Sequence, residues 1–358
     1  MNISSSRVQE GHFPSLMDLW FYKIWMVYCS PIILINGLCT NFMIVLLLCR
    51  KRIHIAKGIK VNYILMALAE IGLYLHKDLP FYIEDGLTLM TNGALAIKLR
   101  TFSDLSCKYL VIGYLLFGVI VDYLLAALCI ERAIAVCAPF FCRTSLNKKL
   151  SIYMPIAFIA LSLPTLVIIV NLAGLTETLP GKFICGPVFD GSLLFFIFAW
   201  LGCFTYFVFP SSIMLVCSII ISIKLYKHSH NAGALCVVKS SKQMMSNETI
   251  ASLTAVCLAV IQLIGYLPMF IICMLFCLAV GSPEFMQNSP GLFAILGISY
   301  DMSTAMYSLA HLWNFYVYLV KIPSFRSEFC NLFCCCCKSR GKTEQMEESR
   351  NEEMESLM

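Results

Sequence analysis

Residues 107–139 read CKYLVIGYLLFGVIVDYLLAALCIERAIAVCAP, with Cys107 at one end and the pair Glu131-Arg132 near the other. Between those ends lies an almost uncharged run, long enough as a helix to cross a hydrocarbon layer of about 30 Å. The stretch is a membrane helix, and the rest of the chain has matching character. Of 358 residues, 59% are hydrophobic and 13% are charged, and the mean hydropathy is +0.80. A soluble domain is close to half apolar and a quarter charged, so this composition belongs to an integral membrane protein. The first residues are polar and mixed, without the basic region, short apolar core and small-residue site of a removable signal peptide. The first span is therefore expected to act as the targeting signal.

The net charge of +5 is unevenly placed. Lys and Arg crowd into alternate loops: Arg50, Lys51, Arg52, Lys57 and Lys60; Arg143, Lys148 and Lys149; Lys224, Lys227, Lys239 and Lys242; Lys321 and Arg326. The positive-inside rule then puts the amino terminus outside and the carboxy terminus in the cytosol, which demands an odd number of spans. Nucleic-acid binding is a poor account of basic residues dispersed along membrane edges. Most of the nineteen cysteines lie in apolar spans and read as small buried hydrophobes.

Seven spans are expected, at about residues 24–49, 59–84, 107–139, 150–175, 192–226, 249–280 and 296–320. Several carry groups that lipid does not tolerate alone. Asn41 is placed mid-span and must face the bundle, and Glu70 and Asp122 fall near the bilayer centre, where an ionisable group costs several kcal/mol unless protonated, paired or hydrated. Asp122 reads equally as a neutral, hydrogen-bonded acid or as part of a switch. Pro210 and Pro268 each remove a backbone hydrogen bond and make natural pivots in the fifth and sixth spans.

Cys107 stands twenty-four residues before Glu131 and Pro139 seven after Arg132, in phase with Pro210, Pro268, Glu248, Asn41, Asn314 and Tyr318. In this the chain resembles the rhodopsin-like (class A) G-protein-coupled receptors. The resemblance implies an all-α membrane protein: a seven-transmembrane helix bundle with a short cytosolic amphipathic helix after the seventh span. The extracellular amino terminus would cover residues 1–22, the bundle 23–322, the amphipathic helix and cysteine cluster 323–337, and the cytosolic tail 338–358. Cys185 is the only cysteine in the loop between the fourth and fifth spans, and a disulfide to Cys107 is expected on the oxidising side of the membrane. Glu131 and Glu248 would clasp Arg132 when the receptor is idle, and outward movement of the sixth helix about Pro268 would free it for a heterotrimeric G protein. Taken alone, a Glu-Arg pair at a helix end reads more simply as side chains snorkelling to the membrane surface.

The chain also departs from that family. Phe315 replaces the proline of the usual Asn-Pro-x-x-Tyr, leaving Asn314 and Tyr318 in place. Ala133 replaces an aromatic after the arginine, Tyr266 stands where a tryptophan is usual, Ser218 where activation commonly uses a tyrosine, and the fourth span lacks its tryptophan. Glu70 and Asn314 match positions of the family's sodium site, but Val121 and Ala310 stand where it places polar sodium ligands, so no metal or other cofactor is expected.

Tyr114 stands where monoamine receptors carry an aspartate and Ser308 where opsins carry the retinal lysine, which argues against both ligand classes. The residues His76, Lys77, Asp78, Arg100, Asp104, Lys108, Asp190 and Asp301 make a mixed-charge rim that leans to a peptide ligand, with Tyr114, Tyr266, His76, Asp78 and Asp301 as the candidate contacts. Solvated loop charges account for these residues equally well. Asn2 opens an N-glycosylation sequon. After the seventh span, Ser324 is expected to cap a helix with the apolar stripe Phe325, Phe329, Leu332 and Phe333. Cys330, Cys334, Cys335, Cys336 and Cys337 follow beside basic residues and read as S-palmitoylation sites.

No catalytic motif is present: there is no HExxH, GxSxG or phosphate-binding glycine loop. The six histidines are scattered, and His311 reads as a packed core histidine. The chain is thus expected to be a non-enzyme at the plasma membrane. The alternative class is a seven-helix transporter or channel with Glu70 and Asp122 as ion or proton sites, for which two related halves would be the sign. No internal repeat is visible.

Overall fold

The computed structural model describes residues 20–50, 52–53, 55–138, 145–179, 182–187, 197, 200–232, 239–280 and 290–333. Asn2, Pro139, Asp190 and the cysteines Cys334 to Cys337 lie outside them, as do the side chains of Glu248 and Asp301.

Among the described residues, seven long helices form the bundle: α1 (Tyr22–Leu48), α2 (Gly58–Met90), α3 (Asp104–Cys137), α4 (Ser145–Leu172), α5 (Trp200–Lys227), α6 (Lys239–Val280) and α7 (Pro290–Lys321). The first six contain segments long and apolar enough to cross a membrane. Large apolar side chains such as Ile35, Phe42, Val167, Ile219 and Ile264 are exposed on the outside of the bundle, as a lipid solvent allows. A short α8 (Pro323–Phe333) follows α7 after a single residue. Pro323 occupies the first helical position, where a missing N–H costs nothing, so Ser324 falls inside the first turn and is not the cap.

Helix α3 is the axis. It packs against α2, α4, α5 and α6, and its residues Leu124, Leu125, Leu128 and Cys129 are almost fully buried. Ser103 starts it with a reciprocal cap, its hydroxyl accepting from Ser106 N at 3.0 Å while Ser106 Oγ accepts from Ser103 N at 2.9 Å. The most extensive helix pair is α6 with α7.

Of the four π-turns among the described residues, three, at Trp25–Cys29, Tyr74–Asp78 and Phe204–Val208, end two residues before a proline, namely Pro31, Pro80 and Pro210; the fourth, Tyr82–Gly86, does not. Proline offers no N–H to the carbonyl four residues back, and a wider turn lets neighbouring donors cover the gap. Pro210 therefore acts through a π-turn ahead of it, whereas Pro268 lies within uninterrupted helix in α6.

One element departs from an all-helical chain. β1 (Ala173–Leu179) pairs antiparallel with β2 (Lys182–Pro187), with Leu175 opposite Cys185. Pro180-Gly181 between them is a turn sequence. The Cys107–Cys185 disulfide ties this hairpin to the first turns of α3, and Asp104 Oδ1 accepts from Leu175 N at 3.2 Å beside it.

Candidate functional site

At the hairpin end of the bundle, the charged rim is largely matched within the protein. Arg100 donates through Nε to Glu84 and through Nη2 to Asp85 at 2.6 Å, and lies 4.7 Å over the Phe81 ring. Burial opposes the Arg100 charge, but the Asp85 and Glu84 carboxylates outweigh it and hold its pKa above the ordinary guanidinium value. Asp104 pairs with Lys108 at 2.8 Å, one helical turn on. Arg100, Asp104 and Lys108 are therefore paired within the protein as well as being rim charges. The reason is spacing: the end of α2 and the chain entering α3 are adjacent in space, so their opposite charges meet.

Deeper, between α2 and α7, the π-turn ending at Asp78 aims two consecutive residues at the same neighbour. Lys77 Nζ donates to Thr304 O at 2.7 Å and Ser308 Oγ at 3.0 Å and sits 4.8 Å over the Tyr307 ring, while the Ser308 hydroxyl donates to Asp78 Oδ1 at 2.9 Å. His76 turns elsewhere: Nδ1 donates to Gly72 O at 2.8 Å, leaving Nε2 to accept from the Tyr109 hydroxyl at 3.3 Å. Tyr266 stacks 5.0 Å from Tyr307 and 5.9 Å from Phe207, and Tyr114 contacts Tyr300. Tyr114, Tyr266 and Asp78 thus border one aromatic and polar interior, with His76 against the α2–α3 seam.

At the centre, Glu70 is fully buried. Its Oε1 accepts from Asn314 Nδ2 and lies 3.2 Å from His311 Nδ1, and His311 Nε2 lies 2.9 Å from Gln262 Nε2 on α6. Two nitrogen donors thus face this oxygen. Val121 and Ala310 are buried and bring no oxygen to it. Glu70 Oε2, Asp122 Oδ1 and Asn41 Oδ1 have no hydrogen-bond partner among the described residues. Asn41 Nδ2 donates to Gly37 O at 3.1 Å, within its own helix.

Gln262 was not singled out from the sequence, and His311 was read only as a packed core histidine. His311 precedes Asn314 by three residues and so shares its helix face, a spacing that could have tied it to Glu70. Gln262 had no such signal.

At the α8 end, Arg132 Nη2 donates to Glu131 Oε1 at 2.8 Å, with both side chains 8% exposed. Arg132 Nε and Glu131 Oε2 have no partner among the described residues, and neither do Ser218 Oγ and Ser252 Oγ. The backbone of Glu248 belongs to α6, while its side chain lies outside the description. Tyr318 is 1% exposed and stacks 4.5 Å from Tyr63 of α2. Phe315 uses the place of a proline to meet Phe325 and Phe329 of α8 at 5.8 Å and 5.6 Å. Of the expected apolar stripe, Phe325 is buried and Phe329 partly so, whereas Phe333 is exposed. Cys330 is half-buried. Glu328 is buried and reaches Arg50 at 3.4 Å and Arg52 at 3.9 Å.

Two comparisons bear on what this arrangement is. A comparison with individually curated proteins gives no match. The family model described as the seven-transmembrane receptor of the rhodopsin family matches residues 40–318, from the second half of α1 to near the end of α7.

Proposed function

Because the chain belongs to the rhodopsin family of seven-transmembrane receptors, we propose that it passes an extracellular signal to a heterotrimeric G protein by outward movement of α6. As a family member it is a multi-pass membrane protein with a signalling role. The carrying observation for the finer reading is the buried Glu131–Arg132 pair at the end of α3, with one oxygen and one nitrogen that have no partner among the described residues. An idle pair that retains unspent hydrogen-bonding capacity is suited to exchanging Glu131 for a partner's groups. The ligand shifts the balance between closed and open α6 only by its differential affinity for the two.

In this reading residues 1–22 and the hairpin end are extracellular and α8 is cytosolic. Asn2 carries a glycan, and Cys330 with Cys334 to Cys337 carries acyl chains that hold α8 on the bilayer. Glu248 supplies the second acid to Arg132; Asn41, Glu70, Asn314 and Tyr318 transmit, and Pro210 and Pro268 mark the pivots. The ligand is a peptide or similarly polar molecule meeting Tyr114, Tyr266, His76, Asp78 and Asp301. Lys77 and Ser308 support a polar ligand by presenting charge and hydroxyl beside that interior. The protein is a transducer and not an enzyme.

The test is nucleotide exchange on a panel of purified G proteins with the full chain in lipid nanodiscs. Accelerated exchange on at least one, lost in Arg132→Ala, is expected. Absence of exchange across the panel, with ion flux through the same protein in vesicles, overturns the proposal in favour of a transporter or channel.

A further inference from the structure

The contact between Gln262 and His311 joins the sixth helix to the seventh in the middle of the bundle, and nothing in the proposed signalling route uses it. Gln262 and His311 are each 1% exposed and Glu70 is 0% exposed. With the Gln262 amide donating to His311 Nε2 at 2.9 Å, the ring hydrogen is on Nδ1, which gives it to Glu70 at 3.2 Å. Asn314 donates to the same carboxylate oxygen. A chain of polar contacts therefore runs from α6 through α7 to α2 across an apolar core.

A second observation places a close approach of the two helices beside it. Gly265 lies three residues after Gln262 on the same face of α6, and a Cβ added there would come within 2.5 Å of Ala310 Cβ and 3.3 Å of Met306 O. The seam between α6 and α7 has no room for even a methyl group at this point. Gln262 reaches His311 because the backbones are this close.

We propose that Gln262 and His311 are positioning residues that form a membrane-centre latch, holding α6 shut against α7. Moving α6 away breaks the amide–imidazole hydrogen bond in a place where water does not replace it, and an unmade buried hydrogen bond is costly. The latch lies six residues from Pro268, near the pivot of α6, so a small separation at Gln262 becomes a larger one at the cytosolic end. Its role in signalling rests on the receptor reading; its hold on α6 does not.

The experiment uses the full chain in nanodiscs with a fluorescent non-natural residue at Ile250, near the cytosolic end of α6, and reads probe environment and basal nucleotide exchange together. Gln262→Met and His311→Phe keep volume but remove the hydrogen bond. Each is expected to shift the probe toward its open signal and to raise basal exchange several-fold. The exchanged pair Gln262→His with His311→Gln rebuilds the contact and is expected to restore the closed signal in part. Gly265→Ala is expected to act in the same direction by wedging the seam, and lipid-facing Ile264→Val to do nothing. If a variant fails to fold, the milder Gln262→Asn replaces it in the same assay. A probe signal that stays closed in the folded single variants overturns the latch, as does a double variant whose effect is the sum of two independent ones. If the probe opens but exchange is silent in every variant, Glu131→Gln included, the latch stands and the G-protein reading fails.

Discussion

Arg100 and Arg132 terminate opposite ends of the bundle in different ways. Arg100 is held by Glu84 and Asp85 across two elements, with the Phe81 ring beneath it, and the disulfide and the Ser103 cap lie close by. Arg132 bonds to Glu131 on its own helix, and Arg132 Nε and Glu131 Oε2 have no partner among the described residues. A pair within one helix fixes no neighbour in place. The hairpin end is therefore tied across elements, and the α8 end retains capacity to bind something else. Under the proposed function this polarity is useful: a firm frame at the end assigned to the ligand and an incomplete one at the end assigned to the partner.

Four substitutions test that contrast, in order of expected effect on stability. Cys107→Ser releases the hairpin from α3 and is expected to cost about 3 kcal/mol, seen as a lower thermal midpoint and fewer molecules at the cell surface. Arg100→Ala strands Glu84, which is buried, and should cost about 2 kcal/mol, below the figure for a fully buried pair because Arg100 is 30% exposed. Glu131→Gln leaves Arg132 a neutral acceptor and should cost about 1 kcal/mol, yet raise basal nucleotide exchange where the first two do not. Arg50→Ala should cost under about 1 kcal/mol, since Arg50 is 41% exposed and Arg52 also reaches Glu328. If Glu131→Gln destabilises more than Arg100→Ala, measured by thermal unfolding of the purified chain, the contrast between the two ends is lost.

The sequence carried the parts of this architecture that are local or forced by lipid. Each span must be a long apolar helix to satisfy its own backbone, so seven could be read from hydropathy and loop charge, and the pairing of Cys107 with Cys185 followed from sidedness and the family resemblance. The hairpin was not read, because residues 173–175 continue the apolar run of α4 while the stretch 176–179 is polar and short, and so passed for loop. Nor was the π-turn at Tyr74–Asp78, whose effect on Lys77 and Asp78 depends on which neighbour the rotated turn faces. Contacts such as Glu70 with His311, 241 residues apart, or Gln262 with His311, 49 apart, are set by how the helices pack. His311 looked like an ordinary core histidine because its partners are on other helices.

The most direct measurement is the distance between spin labels at the ends of α3 and α6 nearest Arg132, taken by pulsed electron resonance with and without nucleotide-free G protein. The account predicts a short distance in the receptor alone and a longer one with the G protein, with the same lengthening in part of the Gln262→Met population before any partner is added. A distance that G protein leaves unchanged, in a receptor that binds it, would contradict the account.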